Sequence, residues 1–316
     1  MNSSIKFPTS PVTLSAPSEL IHAPHHLNLP HWRWRVLRRR IMRYGEGVIA
    51  GILLTIIVLS VVFAQHLTSY SPTAGMSLRD RFKPPFWQEG GTIAHPLGTD
   101  NLGRDLLTRT LYGGQVSLGV AFIASTAATL IGASLGLICG YLGGFPDRLL
   151  RRLTEFWVSF PFLVLALAVI AVVGSSPVVL IILMSLSGWV YPAQVTRAQT
   201  LKMRELDYVQ ASIALGASSQ HVIRFHIFPS IISVNIVVWT LSFGALVLVE
   251  SSLSFIGLGV SPPTPSWGNM LNDSKTYLQD AWWMSVMPGL ALMMTILCVN
   301  TVGDALQKFS SRHLYA

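Results

Sequence analysis

Between Glu155 and Arg197 the chain runs for 41 residues without a charged side chain, and between Arg109 and Asp147 for another 37. As one helix rising ~1.5 Å per residue, the first stretch would be about 60 Å long, twice the hydrocarbon thickness of a bilayer. It must therefore fold back on itself as a helical hairpin, and Gly174-Ser175-Ser176-Pro177 is the one place in it built to turn. Composition agrees: 11% of residues are charged and 51% are hydrophobic, with a mean hydropathy of +0.52, where a soluble protein carries about 25% charged residues. The expected fold is all-α, a polytopic membrane helix bundle.

Six spans are expected, at about 47–65, 115–140, 153–173, 177–195, 230–255 and 283–302. Six crossings put both termini on one side. Of the 22 Lys and Arg, 16 fall in the N-terminal tail, the second-to-third connection (Arg148, Arg151, Arg152), the fourth-to-fifth connection (Arg197, Lys202, Arg204, Arg224) and the C-terminus. Six fall in the opposite loops, at Arg79, Arg81, Lys83, Arg104, Arg109 and Lys275. The positive-inside rule then places both termini in the cytoplasm and residues 66–114 and 257–282 outside. The net charge of +8 is read as topology, not as affinity for nucleic acid.

Residues 1–46 read as a cytoplasmic tail ahead of a membrane domain covering 47–316. The tail is rich in Pro, Ser and His up to His31, and its histidines His22, His25, His26 and His31 lack the Cys or carboxylate cluster that would complete a metal site. The run Trp32-Arg33-Trp34-Arg35-Val36-Leu37-Arg38-Arg39-Arg40 suits an anionic headgroup layer. With about 46 polar or basic residues ahead of the first apolar run, the first span is expected to remain as an anchor and not to be cleaved as a signal peptide. Cys139 and Cys298 lie in apolar stretches and read as packing residues.

The most informative polar segment is 207–229. Tyr208, Ala211, Ser212 and Leu215 recur at i, i+3, i+4 and i+7, one helix face, and Gly216 then permits a turn. Small residues, including Ala211, Ser212, Ala214, Gly216, Ala217 and Ser218, would let another protein approach the backbone; a loop resting on the membrane is the alternative. This segment resembles the EAA loop of binding-protein-dependent ABC transporter permeases, whose pattern is Glu-Ala-Ala, three residues, Gly, about nine residues, Ile-x-Leu-Pro. The match falls on Gln210-Ala211-Ser212, Gly216 and Ile227-Phe228-Pro229. Gln210, Ser212 and Phe228 depart from the pattern, and Gln210 removes the charge that a salt bridge would use. The resemblance implies that this loop docks into a separate ATPase.

Two further stretches, His95–Asp105 with Leu111–Leu118, and Glu250–Gly268, resemble the second permease subunit of dipeptide and oligopeptide importers. The resemblance runs from about residue 46 to the C-terminus. It implies a second permease subunit, two ABC ATPase subunits carrying ATP and Mg, and a periplasmic solute-binding protein, in a bacterial inner membrane. Peptides are the implied cargo, with nickel chelates and other small solutes as the alternative. The chain has no Gly-x4-Gly-Lys-Ser/Thr loop, so no ATP hydrolysis, no catalytic residue and no cofactor are expected on it. An ion-coupled transporter would favour paired intramembrane carboxylates, and only Glu250 is a candidate. An intramembrane enzyme would need a nucleophile with a base, paired aspartates or a zinc set, and the spans contain none of these. Glu250 is read as a carboxylate of the translocation path or as a structural group. His95, Asp100 and Asp105 could be taken for metal ligands, but Gly98 and Gly103 beside them favour turns.

Overall fold

Prolines and glycines set the helix ends. The computed structural model describes residues 30–73 and 78–313. His22, His25 and His26 lie outside that range, and so do the side chains of His31 and of the Trp32–Arg40 run. Every regular element among the described residues is helical, apart from one bridge between Thr99 and Asp105. In order they are α1 (Pro30–Val62), α2 (Ala64–Leu67), a 3-10 turn at Leu78–Asp80, α3 (Leu106–Leu142), α4 (Gly144–Ser159), α5 (Phe162–Val173), α6 (Pro177–Gly188), α7 (Val190–Arg204), α8 (Asp207–Ala214), α9 (Ser219–Val222), α10 (Phe228–Phe255), α11 (Trp267–Ser274) and α12 (Trp283–His313).

Five stretches among the described residues are long and apolar enough to cross a membrane: Gly45–Val62, Leu106–Leu142, Pro177–Arg204, Ser219–Phe255 and Trp283–Phe309. A sixth apolar stretch is formed only by a bent pair, α4 and α5, which meet at 77°. The span expected at 153–173 is an elbow in the structure. Its cause is Pro161: the residue before a proline is pushed out of the helical region, and Phe160 is extended at φ −88° and ψ 126°. The hairpin turn lies where the sequence places it. Gly174 sits at φ +88°, the Ser176 hydroxyl accepts the Val179 amide, and Pro177 opens α6. Other helices outrun the expected spans: α3 starts at Leu106, not 115, and the fifth span is helical from Ser219, not 230.

Apolar burial does little to drive helices together inside lipid, so close backbone packing must hold such a bundle. The centre of the fold is the contact between α3 and α7. Gly132, Gly136 and Gly140 recur every four residues on one face of α3 and lie against the backbone of α7. A Cβ at Gly132 would collide with the Trp189 carbonyl, one at Gly136 with the Ala193 carbonyl, and one at Gly140 would sit 3.1 Å from the Arg197 carbonyl. Polar side chains add to the same packing. Thr196 of α7 meets Asn235 of α10 at 2.9 Å, Trp239 of α10 donates to Thr126 of α3 at 3.1 Å, and Asp147 of α4 pairs with Arg197 of α7 through two hydrogen bonds. Around this centre, Ala121 and Ala124 of α3, Leu180 and Met184 of α6 and Val247 of α10 form the main buried cluster.

Gly136→Leu is expected to separate α3 from α7 and to abolish recovery of folded protein from membranes. Gly119→Ala, on the same helix with no atom within 4 Å of its added Cβ, should be neutral or slightly stabilising. Size-exclusion profiles of detergent-extracted protein check both, and a monodisperse Gly136→Leu protein at normal yield would show that the close approach is dispensable.

Candidate functional site

The segment between the fourth and fifth spans folds as helix, turn, helix. α8 follows an extended Leu206 and is held to the rest of its chain by Val209, which is fully buried against Met203, Val222, Ile227 and Ile231. With Val209 inward, the stripe identified from the sequence faces outward. Tyr208 is 51% exposed and Leu215 90%; Ala211 is exposed and Ser212 half-buried. Leu215 therefore makes almost no contact with its own chain.

The turn is a Schellman motif. The Ala217 amide donates to the Ser212 carbonyl at 3.1 Å and the Gly216 amide to the Ile213 carbonyl at 2.9 Å, with Gly216 at φ +90°. No atom lies within 4 Å of a Cβ built at Gly216, so the requirement for glycine comes from the backbone torsion and not from crowding. Ser218 then caps α9 by accepting the His221 amide. Ala217 packs, half-buried, against the Val209 cluster.

Two features of this segment escaped the sequence reading. Gln210 Nε2 donates to the Arg204 carbonyl at the end of α7, at 2.8 Å. That is a C-terminal cap which a glutamate, having no donor, cannot provide. Between α9 and α10, Ile223–Ile227 forms a π turn in which the Phe228 amide reaches the Ile223 carbonyl. Its cause is Pro229, which has no N–H for the Phe225 carbonyl and whose ring crowds it, so the helix widens by one residue. Ile227 is buried and Pro229 exposed. The His226 ring, within the π turn, lies 5.7 Å from Tyr208 of α8.

Glu250 lies well away in sequence, near the far end of α10, and is fully buried. Its carboxylate accepts hydrogen bonds from Ser254 at 2.8 Å and Ser251 at 3.3 Å, and the hydroxyls of Ser117 and Ser266 lie beside it. The last two serines each do a second job. Ser117 accepts the Trp267 amide and Ser266 accepts the Asn269 amide, both donors in the first turn of α11. The acid thus faces the positive end of α11 across these two hydroxyls, and it has no ion pair among the described residues. Glycine permits the close seating: a Cβ at Gly268 would strike the Ser251 carbonyl, and one at Gly114 would come within 2.8 Å of the Trp267 ring. Trp267 completes the joint by donating to the Thr110 carbonyl at 2.8 Å.

The His95–Asp105 loop forms turns. Asp100 accepts the Leu102 and Arg104 amides, while Asp105 caps α3 by accepting the Thr108 amide and takes a 3.0 Å contact from His95 Nδ1. Arg104 lies 2.7 Å from Asp100, and Arg109 bridges Asp100 and Asp273. Burial pushes the Asp273 carboxyl above its ordinary value, opposed by the Arg109 and Arg104 charges.

Glu250→Gln keeps one acceptor but turns an NH2 towards hydroxyl donors, and Glu250→Ala leaves the serines unpaired. Losses of about 1–3 kcal/mol are expected, larger for Ala, read as a lowered thermal midpoint of the purified protein. An unchanged midpoint for Glu250→Ala would show that the α11 joint closes without the acid.

Residues 132–314 match the family described as binding-protein-dependent transport system inner membrane component. Over 292 residues, the chain is 36% identical to the dipeptide transport system permease protein DppC of Escherichia coli strain K12, covering 92% of this chain and 95% of that one. It is 34% identical over 276 residues to the DppC of Alkalihalophilus pseudofirmus, covering 87% and 88%. The glutathione transport system permease protein GsiD of Pectobacterium atrosepticum is 32% identical over 274 residues, covering 87% and 89%. With a membrane-spanning helical bundle, an outward-facing helix between its fourth and fifth spans and these relatives along most of its length, the chain belongs to the inner membrane components of binding-protein-dependent transport systems.

Proposed function

We propose that this chain is one of two different permease subunits of an ATP-driven importer of short peptides. A periplasmic binding protein delivers the peptide, and two ABC ATPase subunits, which bind ATP and Mg, supply the energy. The observation that carries the reading is the outward face of α8: Tyr208, Ala211 and Leu215 stand clear of their own chain on a helix fixed at both ends, by Gln210 on Arg204 and by the Schellman turn. A rigid projection of this kind transmits a push, and Val209 carries it to the base of α10 through Ile227 and Ile231. The names of the relatives, which refer to dipeptide and glutathione transport, support peptides as the cargo class. In this reading both termini and α8 are cytoplasmic, as the basic-residue census requires.

Uptake by proteoliposomes holding the assembled transporter should require ATP and binding protein and should survive collapse of the membrane potential. Uptake driven by the potential alone would sink the proposal. Gly216→Val places a β-branched side chain at φ +90° and should cost at least about 1–2 kcal/mol, uncoupling ATP hydrolysis from uptake, whereas Gly216→Asn should retain more coupling. Orientation is checked separately, by maleimide labelling of intact cells. With Cys139 and Cys298 replaced, a cysteine at Ile93, which is 87% exposed, should react and one at Ser219 should not.

A further inference from the structure

Beside the elbow that Pro161 imposes lies an apolar groove of about 310 Å³, lined chiefly by Phe156 and Trp157 of α4, Phe160 at the bend, Phe162 and Leu165 of α5, and Val190 of α7. Its one hydroxyl, Ser187, is already bonded to the Met184 carbonyl at 3.1 Å. The groove continues into a charged stripe. Arg148, Arg152 and Phe156 recur every four residues along α4, so they share a face, and Phe160 follows just past its end; all four are exposed. The two phenylalanine rings touch edge to face with centroids 5.0 Å apart. Arg151, between the two arginines of the stripe, lies 3.5 Å from Asp147, whereas Arg148 and Arg152 have no carboxylate partner among the described residues.

From Arg148 to Phe156 the stripe runs two turns of α4, roughly 12 Å, so the arginines and the aromatic rings are within the reach of a single lipid molecule. Unpaired cations at one end of the stripe and an aromatic-lined apolar groove at the other match an amphiphile with an anionic head. We infer that the α4–α5 elbow is a binding site for an anionic glycerophospholipid, with its phosphate on Arg148 and Arg152 and an acyl chain in the groove. The inference rests on the proposed orientation, which puts these arginines at the cytoplasmic leaflet, where anionic lipid is drawn to basic segments.

The test uses the assembled transporter in nanodiscs. A photoreactive benzoylphenylalanine in place of Phe160 should cross-link to phospholipid; cross-linking to the second permease subunit instead would overturn the inference, because the groove would then be a subunit interface. Retention of labelled phosphatidylglycerol should fall about five-fold for each arginine removed in Arg148→Gln and Arg152→Gln, with phosphatidylcholine retention unchanged. The same charge loss at Arg79 and Arg81, in the opposite loop, should leave both lipids unaffected. A loss below two-fold, or an equal loss of both lipids, would overturn the pairing with the phosphate. Maleimide labelling reports on orientation independently, so a failed lipid assay and a failed topology remain distinguishable.

Discussion

The bundle depends on the approach of α7 to the glycine face of α3. Lipid tails are as apolar as leucine, so the contact cannot draw on the hydrophobic effect, and its strength lies in the number of atoms brought within dispersion range. Gly132, Gly136 and Gly140 remove the side chains that would hold two helical backbones apart. The rest of the inner half follows. Asp147 of α4 reaches Arg197 only because α7 lies so close, and Arg204, at the end of the same helix, reaches the Tyr141 carbonyl at 2.9 Å. The platform that carries α8 is therefore set by three missing side chains.

The other half has its own joint, built from polar groups. Glu250 is an isolated acid in an apolar span, an arrangement whose cost is only partly offset by the Ser251 and Ser254 hydroxyls and the nearby amide end of α11. The result fixes a short helix between α3, α10 and α12. Nearby, the hairpin turn is tied to the same region: the Ser175 hydroxyl donates to the Gly259 carbonyl, and Ser261 donates to the Ser175 carbonyl at 3.3 Å. The α5–α6 turn and the end of α10 are thus linked through one short segment.

α8 is held for local reasons, by a Schellman turn at one end and the Gln210 cap at the other. In the proposed role a held helix would pass a push on, and the π turn at Ile223–Ile227 lies between it and α10. Pro229 generates that turn by withholding a single N–H.

Much of this was legible in the sequence, for reasons of short range. Uncharged stretches of 37 and 41 residues force membrane helices, Gly174 to Pro177 force the hairpin turn, and Gly216 with the small residues around it marks the turn after α8. Local torsions and hydrogen bonds govern each of these, and a residue's own chemistry reveals them. The elbow at Pro161 was only half legible: a proline marks where a helix breaks, but the 77° of this break depends on how α4 packs against α3 and α7. The surroundings of Glu250 were not legible, since Ser117 lies 133 positions earlier and nothing local joins them. Likewise the inward turn of Val209, which decides that Tyr208 and Leu215 face outward, requires Val222, Ile227 and Ile231 to gather around it. The sequence by itself determined which segments are helical, where they cross and where they turn. The tertiary structure alone decided which face each helix presents, because that choice depends on contacts between residues that only packing brings together.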